Sequence, residues 1–98
     1  MSTTEPADPP VVVTVVHAPA CHFCHDAEEA LAVLARDFPL VVRSVGIDTD
    51  EGRALVAEHR PAMNPLVLVD GNFFSAGRLP RKKLIKALQR RRAVAVGA

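Results

Sequence analysis

The sequence predicts an α/β domain with the element order βαβαββα, in which helices flank a four-stranded mixed sheet. Three observations predict it: a run of β-branched residues at 11–16, a helical apolar repeat behind a Cys-x-x-Cys motif, and an Asp-Gly turn between two short apolar runs. A chain of 98 residues has room for one domain. We expect this domain over residues 11–92, between a flexible tail at 1–10 and a second tail at 93–98.

The first predicted strand, Val11–Val16, is rich in valine and lacks polar alternation, which is typical of a strand covered on both faces. It should therefore lie centrally in the sheet. A loop then leads to a helix that opens on Cys21 and Cys24 and ends at Pro39. Apolar residues recur at helical spacing along it, at Ala27, Ala30, Leu31, Leu34 and Phe38.

The next elements are a second strand and a short helix. Leu40–Ile47 is rich in Val and Ile and should run parallel to the first strand, because a connection of this length makes a right-handed crossover. Asp48 and Glu51 have the spacing of a capping box, so Asp48 is predicted to cap a helix that reaches about His59.

The remaining elements are a hairpin and a last helix. Leu66–Val69 is the third predicted strand, and Asp70-Gly71 turns the chain into an antiparallel fourth strand at 73–75. Pro80 suits the first turn of a helix that should run to about Arg92. The apolar face of this helix is formed by Leu84, Ile85 and Leu88.

Composition and charge exclude several classes of function. The longest apolar run, at 11–16, is far shorter than the about 20 residues that cross a bilayer, and no signal-peptide pattern opens the sequence. We therefore expect a cytoplasmic monomer without a membrane partner. Residues 78–92 hold eight basic residues and no acid, which predicts a solvated helix face. Because no aromatic residue interleaves with these cations, nucleic acid is not an expected partner.

The two cysteines carry the strongest functional signal. Three positions apart, they are too close to staple the fold, so in a reducing compartment a redox or metal-binding role is favoured. The partial positive charge and free N–H groups at a helix N-terminus stabilise a thiolate. Cys21, nearest that end, is therefore the predicted nucleophile, and Cys24, one turn deeper, is the predicted resolving thiol.

Charged side chains near the cysteines act on this thiolate in both directions. His22 and His25 would stabilise it when protonated, which makes His25 a candidate for tuning the pKa of Cys21. Three acids oppose this effect: Asp26, Glu28 and Glu29. The other two histidines, His17 and His59, are predicted to be ordinary surface residues.

Two other chemistries fit the same residues. Cys21-His22-Phe23-Cys24-His25 has the C-x-x-C-H pattern of c-type haem attachment, with Met63 as a conceivable axial ligand. The two cysteines and a neighbouring histidine could instead begin a zinc site, which His17 or His59 would complete. The missing second ligand pair argues against zinc, and the lack of an export signal and the valine-rich strands argue against haem.

The predicted first strand, the Cys21-His22-Phe23-Cys24 motif, the helix behind it and the segment 64–71 together resemble the glutaredoxin branch of the thioredoxin superfamily. The resemblance covers residues 11 to about 92. It implies a thioredoxin fold and the activity of a thiol–disulfide oxidoreductase, an enzyme that exchanges disulfides through its two cysteines.

The resemblance also implies a substrate-binding set around the cysteines. It predicts a cis peptide bond between Asn64 and Pro65, in a loop that faces Cys21. The Asn64 backbone would pair with an incoming peptide or with glutathione. His22 and Phe23 would shape the surface beside the reactive sulfur.

The chain departs from the glutaredoxin pattern at several positions. His22 and Phe23 stand where the family usually has Pro and Tyr, Ala18 stands where it has Lys, and Ser75-Ala76 replaces its Gly-Gly pair. Glutathione is therefore a candidate co-substrate beside other disulfides, and no further cofactor or metal is expected. The expected partners are a disulfide-containing protein or a low-molecular-weight thiol, with a reductase or a thiol pool as electron donor. A domain that no longer turns over and docks through its basic last helix is the alternative.

Overall fold

The computed structural model describes the backbone of residues 10–97 and the side chains of residues 10–91. Its elements follow the predicted order βαβαββα. They are β1 (Val11–His17), α1 (His22–Leu34), β2 (Leu40–Gly46), α2 (Asp50–His59), β3 (Leu66–Val69), β4 (Asn72–Ala76) and α3 (Arg81–Gly97). Within this described part, no helix is both long enough and apolar enough to cross a membrane.

The four strands form one mixed sheet in the order β2-β1-β3-β4. β1 pairs in parallel with β2 and antiparallel with β3, and β4 pairs antiparallel with β3. The predicted central position of the valine-rich strand is confirmed, and Val13, Val15 and Val16 are fully buried. Val16, near the C-terminal end of β1, pairs with Leu66, the first residue of β3. β3 therefore begins at the end of the sheet where the chain leaves β1 towards the cysteines.

Helices cover both faces of the sheet, which explains the unbroken apolar run of β1. Val13 and Val15 pack in one core with residues of α1 and α3, among them Leu31 and Leu84. Val16 belongs to a second core, on the face that α2 covers. Burying a side chain of this size contributes roughly 1.5–3 kcal/mol to folding, so a strand buried on both faces gains from every position.

The first helix ends earlier than the predicted limit at Pro39. α1 stops at Leu34, and the N–H groups of Arg36 and Asp37 then bond to carbonyls three residues back, as in a 3₁₀ turn. Phe38 still packs against the core. The apolar repeat therefore continues past the helix, because a tighter turn also keeps one face of the chain on the sheet.

Helix α2 begins one residue later than the capping box predicts. Thr49, and not Asp48, is the N-cap, and its hydroxyl accepts the N–H of Gly52 at 3.0 Å. The same hydroxyl donates to the carbonyl of Gly46 at 2.7 Å. Gly52 lies so close to Gly46 that a Cβ on it would overlap the Gly46 carbonyl oxygen. Residue 52 must therefore lack a side chain for the chain to pack in this way, and residue spacing does not reveal this contact.

The hairpin confirms the predicted turn. Asp70 and Gly71 have φ of 51° and 84°, the left-handed pair that a type I′ turn requires. β4 extends one residue beyond the predicted strand at each end.

The last helix extends into the segment predicted as the C-terminal tail. α3 continues past Arg92 to Gly97, because no glycine or proline interrupts the sequence before that residue. Part of the segment predicted as a tail at 93–98 is therefore helical. Residues 1–9 of the predicted N-terminal tail, and residue 98, lie outside the described residues, and the limits of the domain stay a prediction.

Candidate active site

Cys21 is the N-cap of α1, as the sequence predicts for a cysteine at the helix start. Its sulfur accepts the backbone N–H of Cys24 at 3.1 Å, and its carbonyl accepts the N–H of His25. The two cysteines are joined in a disulfide, with their Cα atoms 5.2 Å apart. The Cys21 sulfur thus occupies the position in which a side-chain oxygen caps other helices, where free N–H groups and the helix dipole favour negative charge.

The two sulfurs differ in exposure. Cys21 is half-buried, whereas Cys24 has 3% of its surface exposed and packs inside the first turn of α1. The turn before them contains Ala20 with φ of 53°, a left-handed conformation that directs the chain from the end of β1 into the helix. Cys21 is therefore the more accessible of the two cysteines.

The three acids predicted to oppose the Cys21 thiolate all have partners. Asp26 pairs with Arg81 of α3 at 3.0 Å, and Glu28 accepts the hydroxyl of Ser44 at 2.9 Å. Glu29 pairs with His25, Nε2 to Oε2, at 3.2 Å. None of the three lies in the first turn of α1. Their negative charge is thus partly balanced and set back from the sulfur.

An open cleft of about 560 Å³ adjoins Cys21 on the side of β2. His22 and His25 line it, as does His17 from the end of β1. The hydrogen-bonded pair of Glu28 and Ser44 also lines it. The structure therefore brings two of the predicted site residues, His22 and His25, together with Cys21.

Sequence reasoning missed three members of this cleft: His17, Glu28 as a lining residue, and Ser44. His17 was predicted to be ordinary surface, yet it is half-buried and ends a strand at the edge where parallel strands commonly bind ligands. That position is a signal the sequence offers. Ser44 offers none, because the predicted parallel direction of β1 and β2 does not give the register that places Ser44 opposite Val15.

Asn64 and Pro65 lie outside the cleft. The bond between them is cis, as predicted. Pro65 is fully buried and its carbonyl accepts the N–H of Gly77 at 3.0 Å, while Asn64 is half-buried. The register of β3 on β1 places both residues at the cysteine end of the sheet. Phe23 does not line the cleft either and is 36% exposed. That this loop faces Cys21 stays a prediction.

The alternative chemistries find little support in the geometry. Among the side chains described, no group of three or more His, Cys, Asp or Glu is placed to hold a metal ion. His59, proposed as a fourth zinc ligand, lies on α2 with its ring centre 6.4 Å from that of Phe73. Covalent haem attachment would take both sulfurs as thioethers, whereas here they are bonded to each other.

Comparison with known proteins bears on the fold. No family model matches the sequence, and no curated protein matches it either. Solved structures do match. A mutant thioredoxin from Halobacterium salinarum superposes with a TM-score of 0.63 at 22% identity, over 86% of this chain and 76% of that one. The chain has the thioredoxin fold.

Two other thioredoxins support this assignment of the thioredoxin fold. The germline-specific thioredoxin Deadhead from Drosophila melanogaster has a TM-score of 0.62 at 22% identity, over 86% of this chain and 83% of that one. Mitochondrial thioredoxin 3 from Saccharomyces cerevisiae has a TM-score of 0.61 at 18% identity, over 86% and 81%. The predicted fold is confirmed, and the narrower glutaredoxin resemblance stays a prediction.

Proposed function

We propose that this chain is a thiol–disulfide oxidoreductase in which Cys21 attacks and Cys24 resolves. The observation that carries the proposal is the disulfide across the first turn of α1, with one sulfur half-buried at the helix N-cap and the other buried. A hydrogen bond from the backbone N–H of Cys24 to the Cys21 sulfur stabilises a thiolate more than a thiol. This difference in exposure supports the assignment of attack to Cys21 and of resolution to the buried Cys24.

The proposed reaction has two steps. In the reduced protein, the Cys21 thiolate attacks one sulfur of a substrate disulfide, forms a mixed disulfide and expels the other sulfur as a thiolate, which takes a proton from solvent. Cys24 then loses its proton to solvent and attacks the Cys21 sulfur. The second half of the substrate leaves as a thiolate and takes a proton from solvent. The protein is now oxidised to the Cys21–Cys24 disulfide, and a thiol donor later supplies two electrons that reduce it to the dithiol.

The neighbouring residues have proposed supporting roles. Phe23, with its partly exposed ring, and His22 would form the surface on which a substrate rests beside Cys21. Asn64 and Pro65 would align the substrate backbone, which is supported by their position at the same end of the sheet. His25 would tune the thiolate, although its ion pair with Glu29 ties part of its charge to a carboxylate.

The proposed substrates are protein disulfides and low-molecular-weight disulfides, with glutathione as a candidate co-substrate. A reductase or a thiol pool would supply the electrons, and the proposal needs no metal and no further cofactor. It places a monomer in the cytoplasm, where a thiol pool reduces a disulfide whose reduction potential lies above that of the pool.

Trapping the mixed disulfide tests the assigned roles. Cys24→Ser should retain the attacking sulfur and accumulate a covalent adduct when the reduced variant meets a disulfide-bonded peptide, visible by mass spectrometry as one added peptide thiol. Cys21→Ser is the matched control and should form little adduct, because Cys24 is buried. Equal adducts in both variants, or none in either, would overturn the assignment.

The reduction potential of the pair separates the two subtypes. Equilibration against a glutathione buffer should give about −200 to −230 mV for a glutaredoxin-like pair and about −270 mV for a thioredoxin-like pair. The glutaredoxin resemblance predicts the first value. A potential at the thioredoxin value would leave the exchange chemistry intact and contradict the glutaredoxin subtype.

A docking module is the second candidate, and one surface favours it. Lys82, Lys86 and Arg90 are exposed at four-residue spacing on α3, and none of the ion pairs described for this chain includes them. This candidate predicts binding to immobilised poly-glutamate that Cys21→Ser preserves and that Lys82→Glu with Lys86→Glu abolishes. Unchanged binding in the charge-reversed variant would reject it.

A further inference from the structure

Three of the four histidines in the chain converge on the cleft beside Cys21. They arrive from two elements: His17 from the end of β1, and His22 and His25 from the first turns of α1. The fourth, His59, lies on α2 beside Phe73 and outside the cleft. The thiolate proposed at Cys21 would therefore react beside a wall whose charge depends on pH.

The cleft is an open depression of about 560 Å³, with room for a small substituent beside Cys21. Cys21 lies in its wall, so a group attached to the attacked sulfur would enter the cleft. The cis-proline loop at Asn64 and Pro65 does not contribute to it.

The charged groups around each histidine are identifiable. His25 faces Glu29 at 3.2 Å, and the Glu28 carboxylate, held by Ser44, faces the cleft. The ring of His17 and the carboxylate of Asp48 both approach the position of Gly46, at 3.9 and 3.1 Å from where a Cβ would stand. No ion pair is described for His22, which is exposed.

These groups respond differently to pH. Imidazole is the side chain that gains charge between about pH 8 and about pH 5.5, whereas carboxylates stay ionised over that range. Protonation of the three imidazoles that line the cleft would add positive charge to its wall. Over distances below the Debye length of about 8–10 Å, that change acts on a charged group in the cleft.

We propose that this cleft selects low-molecular-weight disulfides by the charge of their substituent, favouring carboxylate-bearing over amine-bearing disulfides as the histidines gain protons. The inference rests on the proposed function and adds the class of substrate to it. The substituent of the attacked sulfur lies in the cleft, where charged imidazoles attract an anion and repel a cation.

The chemical step is the same for each substrate. The Cys21 thiolate bonds to one sulfur of the small disulfide and releases the other half as a thiol after proton uptake. Cys24 then displaces the retained half as a second thiol and closes the protein disulfide. A dithiol reductant, dithiothreitol in the assay, returns the protein to its reduced form, so two electrons pass from the reductant to the substrate.

Three disulfides with closely similar carbon skeletons test the proposal: bis(2-carboxyethyl), bis(2-hydroxyethyl) and bis(2-aminoethyl) disulfide. At each pH, the rate for each charged disulfide is divided by the rate for the neutral bis(2-hydroxyethyl) disulfide. This gives an anionic ratio for the carboxyethyl compound and a cationic ratio for the aminoethyl compound. The thiolate fraction of Cys21 cancels in both ratios. From about pH 8 to about pH 5.5, the anionic ratio should rise about threefold to tenfold and the cationic ratio should fall. Ratios that stay flat with pH would overturn the proposal.

Histidine variants locate the effect. His22→Gln combined with His25→Gln should remove most of the pH dependence of the ratios, and adding His17→Gln should remove the rest. His59→Gln is the matched control and should leave the ratios as in the wild type, because that ring lies outside the cleft. The proposal fails if His59→Gln flattens the ratios as much as the cleft variants do.

Glu28→Gln provides an independent check. Removing this carboxylate should raise the anionic ratio at every pH while the dependence on pH remains. Failure of the proposed function looks different from failure of this inference: a protein that reduces none of the three disulfides contradicts the oxidoreductase itself. One that reduces all three with ratios independent of pH contradicts only the selection by charge.

Discussion

The backbone bond between the Cys24 N–H and the Cys21 sulfur gives two cysteines of one short motif different chemistry. At the N-cap the sulfur is half-buried and polarised by the helix, while one turn deeper the second sulfur is covered by the core. Reactivity of a thiol depends on its thiolate fraction and on access, and here both favour the same residue. The proposed order of attack therefore rests on the start of α1, where the two cysteines differ in exposure and in hydrogen bonding.

The first prediction concerns alkylation of the reduced protein. Iodoacetamide should modify Cys21 at least about tenfold faster than Cys24, because Cys21 is both more accessible and better stabilised as a thiolate. Peptide mapping by mass spectrometry after short exposure measures the ratio. In guanidinium chloride the two rates should become similar, and a ratio near one in the native protein would contradict the asymmetry.

The residue scale also shows what sequence can and cannot predict about the site. The helix-start position of Cys21 follows from the apolar repeat behind it, and the cis bond at Pro65 followed from the resemblance. The sequence did not predict the cleft. His17 and Ser44 come together because of the register between the parallel strands β1 and β2, which places His17 opposite Gly46. The sequence predicts the parallel direction of these strands but not their register.

At the scale of elements, the start of α2 shows that the spacing of a capping box does not decide which residue caps a helix. Asp48 and Glu51 have the right spacing, yet Thr49 caps the helix. The Thr49 hydroxyl bonds both to the Gly52 N–H and to the Gly46 carbonyl, and the spacing of the acids does not reveal these two bonds. By contrast, the Asp70-Gly71 turn depends only on local conformation, so the sequence predicted it correctly.

The second prediction compares the two candidate caps. Thr49→Ala should lower the free energy of unfolding by about 1 kcal/mol, since the Gly52 N–H and the Gly46 carbonyl both lose a partner. Asp48→Ala is the matched control and should cost clearly less. Urea unfolding followed by circular dichroism measures the free energy of unfolding of both variants. A larger decrease for Asp48→Ala would show that Asp48, as the capping box predicts, is the N-cap.

The third prediction concerns the left-handed end of α2. Arg60 is the C-cap with φ of 48°, a conformation that costs a residue with a Cβ roughly 1 kcal/mol relative to glycine. Arg60→Gly should therefore raise the free energy of unfolding, by somewhat less than this because glycine gains more freedom on unfolding. A decrease of more than about 0.5 kcal/mol in the same urea experiment would show that the Arg60 side chain stabilises the fold.

At the scale of the whole molecule, α3 forms ion pairs with both α1 and the hairpin turn. Arg81 pairs with Asp26 of α1 near the cysteines, and Arg91 pairs with Asp70 in the hairpin turn at the far end. Asp70 also accepts the N–H of Val12 at 3.0 Å. A third cation of this run, Lys83, lies over the Phe74 ring at 5.2 Å. Among the side chains described, the basic run that looked like a plain solvated face thus contains three cations with partners, which charge patterning alone does not distinguish.

The fourth prediction tests the anchoring of α3. Leu84→Ala should lower the free energy of unfolding by roughly 2–5 kcal/mol, because Leu84 is fully buried in the core shared with α1 and β1. Val33→Ala is the control: this α1 side chain is 55% exposed, and its loss should change stability by less than about 0.5 kcal/mol. Equal effects of the two substitutions would contradict the described packing.

The central claim is that the Cys21–Cys24 pair exchanges disulfides, and catalysed reduction of insulin tests it most directly. With dithiothreitol as donor, the wild type should accelerate precipitation of the reduced insulin chains well above the rate with Cys21→Ser, which keeps the fold and lacks the attacking sulfur. A wild type no faster than Cys21→Ser would contradict the claim and favour a domain that only docks on its partner.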